Sequence, residues 1–392
     1  MVAESKSPRY TKQPMSIRKL TQAKKHVRIL AIETSCDETA AAIVGTEDVE
    51  TATGTQHMRS KVYSSIVASQ DQVHAAFGGV IPEIASRKHI ELLWDVVDRA
   101  LQEAAMTLDD LDAIAVTHAP GLMGALLVGL SFAKGLALSF RVPLIGCQHL
   151  AGHLAAMDVS DVLQEASMPW PHVGFVVSGG HTILYLGQCP GDYRLLGETC
   201  DDAAGEAFDK VAKVLGLGYP GGRMIEEEAA KWPSGQPNDF YASLPQFSTK
   251  QDDLSFSFSG LKTAVVQRLN QGKNASQPLD IPQVCFAFQE KAFEALSRPL
   301  SRSIDRFRPK AVLFCGGVAA NKRLRHGLSA LCEEKGVRFY VPPFRLCTDN
   351  AAMIGAAAIR KWNAGLVDDL RLAASPQAIH DTQTLLREFF PA

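Results

Sequence analysis

Two histidines four residues apart, His149 and His153, are the first residues in this chain whose types and spacing could do chemistry. On a helix, that spacing places both imidazoles on one face, close enough to ligate one metal ion. Further along, Ser178, Gly179 and Gly180 follow a strand-like run, and a glycine-rich turn lets backbone amides approach a phosphate or carboxylate. Together the two features predict an enzyme that acts on a phosphorylated or acyl-phosphate compound. The alternatives are a histidine pair hydrogen-bonded in a core and a plain hairpin turn.

Three apolar strand-like segments each end in a turn of small or polar residues. Because similar strand–turn units recur in the two halves of the chain, and strands alternate with helix-like segments, we predict two α/β lobes with mixed sheets. In each lobe such a hairpin would face a phosphate. The segments and their turns are 28–33 with 34–39, 173–177 with 178–181, and 311–315 with 316–321.

Further polar residues stand where helices should begin. The stretch 201–210 predicts the start of a helix on which Asp202, Glu206 and Asp209 share one face. Such a face is either solvated or recognises hydroxyl groups. Asn321 follows two glycines at a helix start and can present its amide to a ligand. Asp349 precedes an alanine-rich helix, a position typical of an N-cap.

The overall composition is that of an ordinary globular protein, with 392 residues, 46% hydrophobic residues and a net charge of −2. A chain of this length can bury a large core. The eight cysteines are scattered, with no Cys-x-x-Cys, which indicates reduced thiols in a reducing compartment. The most membrane-like run, 119–140, contains Lys134 and four glycines and is flanked by strand-like segments. We therefore expect a buried helix there and no membrane insertion.

The charge is unevenly distributed along the chain. Residues 1–28 hold eight basic residues against a single acid, Glu4, so the remainder has a net charge of −9. That body is no general polyanion binder, and any nucleic-acid contact must come from a local patch. Residues 1–27 are basic, contain Ser and Thr and lack an apolar core, a pattern that favours an organellar transit peptide over a signal peptide. A disordered basic tail is the alternative.

The three strand-end turns resemble the actin-like ATPase (ASKHA) fold of sugar kinases and Hsp70-type proteins, in which two lobes enclose a nucleotide. Within that fold the match is narrowed by a series of motifs, which are IETSCDET (32–39), GGVIPEIASR (78–87), PGLMGALLVG (120–129), HLAGH (149–153), VSGGHT (177–182), DDAAGEAFDK (201–210), FSFSGLK (256–262) and CTDN (347–350). From Arg28 to Leu366 this series resembles the universal tRNA N6-adenosine threonylcarbamoyltransferase family, of the TsaD, Kae and Qri type. The basic extension resembles the mitochondrial branch.

This resemblance implies a two-lobed α/β actin-like fold with a central nucleotide cleft. The implied units are the extension (1–27), lobe 1 (28–170), lobe 2 (171–348), and a C-terminal helix returning to lobe 1 with a tail (349–392). The implied reaction moves threonylcarbamoyl from threonylcarbamoyl-AMP to N6 of the adenosine 3′ of the anticodon, in tRNAs reading ANN codons, and releases AMP.

The resemblance also implies roles for individual residues. His149, His153 and Asp349 would hold one divalent metal ion, iron or zinc, with magnesium as an alternative in vitro. Asp37 and Glu38 would orient the incoming amine. The residues that would contact the adenylate are Val176, Val177, Ser178, Gly179, Gly180, Asp209, Gly222, Glu226 and Asn321.

The implied partners are tRNA, a separate synthase that supplies the threonylcarbamoyl-AMP, and a second copy of the chain in a homodimer. The implied location is mitochondrial, or otherwise cytoplasmic. A small-molecule kinase or ATPase of the same fold is the alternative function. A metallopeptidase would need a glutamate directly after the first histidine as general base, where this chain has Leu150. A non-catalytic scaffold predicts loss of the metal-binding residues, and all three are present.

Overall fold

In a computed structural model of the chain, residues 24, 26–50, 56–163, 168–189, 192–233, 235–245, 254–274 and 280–378 are described. The predicted N-terminal extension lies outside these residues except for 24, 26 and 27, and the tail lies outside them from residue 379. The transit-peptide prediction therefore falls outside the described part of the chain.

The first sheet has five strands in the order β3-β2-β1-β4-β5. Its central strand β1 pairs antiparallel with β2 and parallel with β4, and β4 pairs parallel with β5. All seven residues of β4 are buried, as expected for a strand covered by helices on both faces. The strands are β1 (Arg28–Glu33), β2 (Glu38–Glu50), β3 (Gln56–Ser69), β4 (Ala113–Ala119) and β5 (Leu144–Gln148).

The second sheet repeats this arrangement in the order β10-β9-β6-β7-β8. Its central strand β6 pairs antiparallel with β7 and parallel with β9. The prediction of an α/β protein with two similar mixed sheets is confirmed. The strands are β6 (His172–Val177), β7 (Thr182–Cys189), β8 (Asp192–Glu198), β9 (Ala311–Cys315) and β10 (Arg338–Tyr340).

Helices cover both sheets and form separate cores. In the first lobe, Leu93, Val97 and Leu130 pack against one face of the sheet. In the second lobe, Phe208 and Phe288 pack edge-to-face within the core, with their ring centroids 4.9 Å apart. The helices are α1 (Asp71–Ala75), α2 (Pro82–Glu103), α3 (Met123–Phe140), α4 (His149–Ala155), α5 (Ala204–Leu215), α6 (Gly221–Ala229), α7 (Asp239–Ser243), α8 (Ser259–Asn274), α9 (Ile281–Phe307), α10 (Lys322–Glu334) and α11 (Ala351–Asn363).

The last helix, α11, follows the second sheet in sequence but packs on the other face of the first sheet. Its alanines allow this close approach, and at Gly355 an added Cβ would lie 2.5 Å from Cγ2 of Val44 on β2. A larger side chain at that position would push the helix away from the sheet. Because α11 begins just after Asp349, the packing of α11 on the first sheet places that carboxylate in the first lobe.

Helix α3 is the described helix that is long and apolar enough to cross a membrane by length and composition. Its buried face, which includes Leu126, Gly129 and Leu130, packs over the first sheet beside α2, and a third of its residues are buried. Its other face exposes Leu127 and Leu138. The expected absence of membrane insertion stays a prediction.

The predicted helix start at Asp201 is wrong, because α5 begins only at Ala204. The Asp201 carboxylate instead accepts the backbone N–H groups of Phe258 and Ser259 at 2.8 and 3.2 Å, at the N-terminus of α8. Asp202 forms ion pairs with Lys210 and Lys262. It therefore does not share a helical face with Glu206 and Asp209.

A buried polar network joins the two lobes to α11. Arg360 forms a bidentate ion pair with Asp158, at 2.6 and 2.9 Å, and its guanidinium also donates to the Tyr193 hydroxyl at 3.4 Å. That hydroxyl lies 3.3 Å from Nε2 of His172 on β6, while Nδ1 of His172 faces the carbonyl of Pro169 at 3.3 Å. Burial, together with the charge of Arg360, lowers the pKa of His172 to about 4. The imidazole is therefore neutral at neutral pH.

This low pKa predicts that acid destabilises the fold through His172. Since the folded pKa of about 4 lies below the ordinary 6.5, the unfolded chain binds the proton more tightly, and stability falls as pH drops from 6.5 towards 4. Between about pH 7.5 and about pH 5 this single group removes about 2 kcal/mol of unfolding free energy. Urea unfolding of the wild type and of His172→Gln at both pH values measures the effect. An equal pH dependence in the two proteins would contradict it.

Candidate metal centre

The side chains of His149, His153 and Asp349 converge in the first lobe. Nε2 of His149 and Nε2 of His153 lie 3.3 and 3.4 Å from Oδ1 of Asp349. The two imidazole rings are 4.7 Å apart at 83°. Three ligand atoms within 4.8 Å of one another form a cluster that could hold a metal ion. The long-range contact that such a site needs is therefore present.

Local secondary structure determines the position of each of these three side chains. Both histidines lie on α4, which begins directly at the end of β5, so the helical spacing predicted from sequence holds. At the start of α11 the N-cap is Asn350, whose Oδ1 accepts the Met353 N–H at 2.9 Å. Asp349 is not the cap, and its carboxylate faces the histidines.

The donor set fits a divalent transition metal. His153 is fully buried, and neither of its ring nitrogens has a hydrogen-bond partner, although Nε2 lies 3.4 Å from Asp349. A buried imidazole without hydrogen-bond partners destabilises the folded state unless a ligand binds the lone pair of its unprotonated nitrogen. Ligands about 2.1 Å from one tetrahedral ion lie about 3.4 Å apart, close to the distances found here. Two imidazoles and one carboxylate also leave coordination positions open.

The buried carboxylates control the charge of His149. Burial by itself would lower the pKa of His149, but the carboxylates of Asp349 and Glu33 outweigh it and raise that pKa well above its ordinary value. The pKa of Asp349 is lowered for the same reason, since the attraction to His149 exceeds the cost of burial. For His153, burial dominates and lowers the pKa.

A second group of carboxylates, Asp37, Glu38 and Asp71, lies beside this centre. Their oxygens lie within 4.8 Å of one another, and the Tyr219 hydroxyl, from the second lobe, donates to Asp37 at 3.2 Å. Burial and the negative charges of Asp37 and Asp349 raise the pKa of Glu38 well above its usual range. Glu38 therefore holds a proton more tightly than an exposed glutamate does.

The turn that carries Asp37 is held by neighbours that sequence reasoning missed. The Leu122 N–H donates to the carbonyl of Ser35 at 2.8 Å, and a Cβ at Gly121 would lie 2.5 Å from the same carbonyl. His89, which is fully buried, faces the carbonyl of Cys36 with Nε2 at 2.9 Å. The PGLMGALLVG motif and α2, which begins within GGVIPEIASR, thus shape this turn, although neither motif predicts the contact.

The Ser178–Gly180 turn joins β6 to β7, as expected for a hairpin. The Ser178 N–H donates to the His181 carbonyl at 2.7 Å, so this amide is used within the turn. Gly179 and Gly180 are exposed, and within the described residues their amides have no acceptor. Only these two amides are therefore available to an anion.

The N-terminus of α5 lies directly against this turn. Gly205 donates its N–H to the Ser178 carbonyl at 3.2 Å, and a Cβ there would lie 2.7 Å from Cα of Gly179. Gly316 approaches from the other side, where a Cβ would lie 2.4 Å from the Val177 carbonyl. The strand-end glycines of β9 and the hairpin of β6 are therefore neighbours.

The remaining predicted adenylate residues lie around these strand ends. Val176 and Val177 are fully buried, and their side chains pack into cores, so only their backbones could meet a ligand. Asp209 accepts the Gly221 N–H at 2.7 Å, and burial raises its pKa to about 6. Gly222 has nothing within 4 Å of an added Cβ.

Glu226 and Asn321 meet at the start of α10. Glu226 accepts the Lys322 N–H at 2.7 Å. Asn321 caps the helix by accepting the Leu324 N–H at 2.9 Å, and its amide donates to Gln289 at 3.0 Å. Both side chains thus have structural partners, and their contact with a ligand stays a prediction.

Comparison with known sequences extends over most of the chain. The sequence model of the TsaD family, described as tRNA N6-adenosine threonylcarbamoyltransferase, matches residues 61–356. A protein of that name from Clostridium botulinum is 44% identical over 360 residues, which cover 90% of this chain and 98% of that protein. A protein of the same name from Shouchella clausii is 44% identical over 348 residues, covering 89% of this chain and 97% of its own length.

A solved structure agrees at the level of the fold. Full-length HypF in its phosphate- and nucleotide-bound form matches with a TM-score of 0.52 and 12% sequence identity, over 85% of this chain and 46% of that chain. At this identity the likeness concerns the fold alone. It confirms the two-lobed actin-like architecture expected from the strand-end turns.

Proposed function

Since the chain belongs to the tRNA N6-adenosine threonylcarbamoyltransferase family, we infer that it forms threonylcarbamoyladenosine in tRNA. The observation that carries this function is 44% identity to a transferase of that name across 90% of the chain. The acceptor is N6 of the adenosine 3′ of the anticodon in tRNAs that read ANN codons. The chain is a transferase, and tRNA is its substrate.

The reaction exchanges one bond at an activated carbonyl. The N6 amine attacks the carbamoyl carbon of threonylcarbamoyl-AMP, the new C–N bond forms, and the bond to the phosphate oxygen breaks as AMP leaves. The amine loses one proton in the same process. Because the mixed anhydride is already activated, the protein needs no covalent nucleophile, and it has to position the reactants and stabilise the negative charge on the leaving phosphate.

We propose that the adenylate binds to the second lobe. The free amides of Gly179 and Gly180 beside the N-terminus of α5 suit a phosphate, since helix N-termini and glycine turns attract anions. Asp209 has the character of a ribose-hydroxyl acceptor. Gly222, Glu226 and Asn321 complete the adenylate side, and Val176 and Val177 contribute only backbone.

In this proposal His149, His153 and Asp349 hold one divalent ion, iron or zinc, with magnesium an alternative in vitro. When bound, such an ion supplies positive charge and open coordination positions for substrate oxygens. The orphaned ring nitrogens of His153 support this role.

Asp37 and Glu38 are the proposed groups for the incoming amine. The raised pKa of Glu38 makes it a stronger base than an ordinary glutamate, which suits a carboxylate that accepts the proton lost from N6. Asp37 would orient the amine beside it. The alternative function, a small-molecule kinase or ATPase of the same fold, would not need a metal centre on α4.

The tRNA surface remains a proposal. We propose that tRNA contacts basic residues around the end of α9 and the start of α10, which are Arg302, Arg306, Arg308, Lys310, Lys322, Arg323 and Arg325. Within this set Arg323 pairs with Glu290, and Arg325 donates to the Ala319 carbonyl. We propose that a separate synthase supplies the threonylcarbamoyl-AMP.

We also propose that the chain forms a homodimer through the outer faces of α2 and α3. Ile90 and Trp94 on α2 are 68% and 52% exposed, and Leu127 on α3 is 47% exposed. Trp94 also contacts Phe132 across the two helices at 6.2 Å between ring centroids. A contiguous apolar face of this kind marks an interface, and a two-fold axis would let it cover itself.

The activity is tested by reconstitution. The purified chain, unmodified tRNA, threonine, bicarbonate, ATP and an adenylate-forming synthase should yield threonylcarbamoyladenosine, measured by nucleoside mass spectrometry. His149→Ala with His153→Ala should lose bound metal and at least about a hundredfold of the transfer rate, because the charge that stabilises the leaving phosphate is removed.

The exposed histidine His326 on α10 provides the control, and His326→Ala should keep both metal and activity. Absence of the modified nucleoside, with or without added bacterial partner proteins, would refute the function. Full transfer by a metal-free double variant would refute only the metal centre.

Dimerisation is tested with Trp94→Glu. A buried, unpaired carboxylate at the centre of an apolar interface is costly, so the variant should shift from dimer to monomer in light-scattering chromatography. Val214→Glu, at a position 45% exposed on α5, should leave the mass unchanged. A wild-type chain that is monomeric at micromolar concentration would contradict the dimer.

We propose that the first 27 residues direct the chain to mitochondria, with the cytoplasm as the alternative location. Their basic, acid-poor composition is the support. Fused to a fluorescent reporter, these residues should carry it into mitochondria, and replacing their Lys and Arg residues with Gln should leave it cytosolic. A wild-type fusion that stays cytosolic would refute the targeting, and a chain starting at Arg28 should retain transfer in vitro.

A further inference from the structure

The side chain of Glu33, the last residue of β1, is fully buried beside the metal centre. Its Oε1 accepts the Ser35 N–H, and its Oε2 accepts the Thr117 hydroxyl at 2.6 Å. The same Oε2 lies 3.0 Å from Nδ1 of His149. The resemblance to the transferase family gave this residue no role.

These contacts determine which nitrogen of His149 carries the hydrogen. An ionised carboxylate only accepts hydrogen bonds, so Nδ1 must be the donor to Glu33. The Ser35 hydroxyl, 3.1 Å from the same nitrogen, can accept there as well. In the neutral ring, Nε2 then has the free lone pair, and it is this nitrogen that faces Asp349 at 3.3 Å.

The two histidines of the centre are therefore unequal. Nδ1 of His153 has no hydrogen-bond partner in the part of the chain that the structure describes, so nothing there fixes its tautomer. Only His149 has a carboxylate behind it. Any metal held here would have one prearranged imidazole ligand and one that must adopt its tautomer on binding.

A buried carboxylate needs a compensating role, because removing a charge from water is costly even when it is paired. Glu33 is the one charged residue that β1 buries, since the other buried residues of this strand are apolar. Its two other hydrogen bonds, from Ser35 and Thr117, orient the carboxylate towards His149. Both elements next to β1 thus contribute to this orientation, Ser35 through the following turn and Thr117 through β4.

We propose that Glu33 is a positioning residue that fixes the tautomer and ring orientation of His149 as a metal ligand, an inference that rests on the metal centre of the proposed function. Carboxylates in this position behind a ligating histidine typically strengthen metal affinity by about 10- to 100-fold. Glu33 itself touches neither metal nor substrate, and it acts only through His149.

The first test needs no metal. Nitrogen-15 NMR of histidine-labelled, metal-free protein, recorded at a pH high enough for the His149 ring to be neutral, reports its tautomer, which should be Nδ1–H in the wild type. In Glu33→Gln the side-chain amide can donate to Nδ1, so the signal should change to the Nε2–H form. Assignment is made by comparison with His149→Ala.

The second test measures Zn²⁺ affinity by competition with a coloured chelator. Glu33→Gln should bind about 10- to 100-fold more weakly than the wild type. Thr117→Val, which keeps the carboxylate and loses one of its hydrogen bonds, should show a smaller loss. Glu290→Gln, which removes a carboxylate paired with Arg323 on the second lobe, should bind as the wild type does.

The outcomes distinguish the proposed metal centre from the proposed role of Glu33. If the wild type binds Zn²⁺ and Glu33→Gln binds it equally well with an unchanged tautomer, the role of Glu33 is refuted and the metal centre stands. If the wild type binds no metal through His149 and His153, the metal centre is refuted and the inference with it. Should Glu33→Gln fail to fold, Glu33→Asp, which shortens the side chain but keeps its charge, replaces it, and wild-type affinity in that variant together with Thr117→Val would overturn the proposal.

Discussion

The close packing of α11 on the first sheet is the contact on which the rest of the site depends. An alanine-rich helix with glycine at the point of contact can lie against β2, as the Gly355 and Val44 approach demonstrates. This seat carries Asp349, from the far end of the chain, to the histidines of α4. A bulky residue on this helix face would separate the carboxylate from both imidazoles without touching any of the three.

Several buried or half-buried carboxylates lie near the contact between α11 and the first sheet. Glu33, Asp349 and the group of Asp37, Glu38 and Asp71 lie close enough to influence one another, and burial with mutual repulsion raises the pKa values of Glu38 and Asp71. Such a region is stable only with compensating protons or cations. The same feature prepares it for a divalent ion and for a reaction that releases a proton from an amine.

The sequence allowed much of this arrangement to be predicted, and the failures have physical causes. The His149 and His153 pair was readable because helical spacing alone places both rings on one face. The residues alone predicted an N-cap for Asp349, and its ligand role followed only from the family resemblance. The structure assigns the cap to Asn350, whose side chain accepts the Met353 N–H. The helix predicted from Asp201 failed because a distant partner, the N-terminus of α8, takes that carboxylate. The role of Glu33 could not be predicted for a similar reason, because it depends on which elements lie next to β1.

The network of Arg360, Asp158, Tyr193 and His172 has a mechanical consequence. It fastens the two lobes to α11 through buried, charge-assisted contacts, whereas at the rim the described residues of the two lobes meet through the hydroxyl contact of Tyr219 with Asp37 and the exposed contact of Lys213 with the Phe77 carbonyl. Separating the lobes at the rim breaks two partly solvated hydrogen bonds, while separating them at the base would strand a buried guanidinium. Any separation of the two lobes therefore begins at the rim, while the base acts as the hinge.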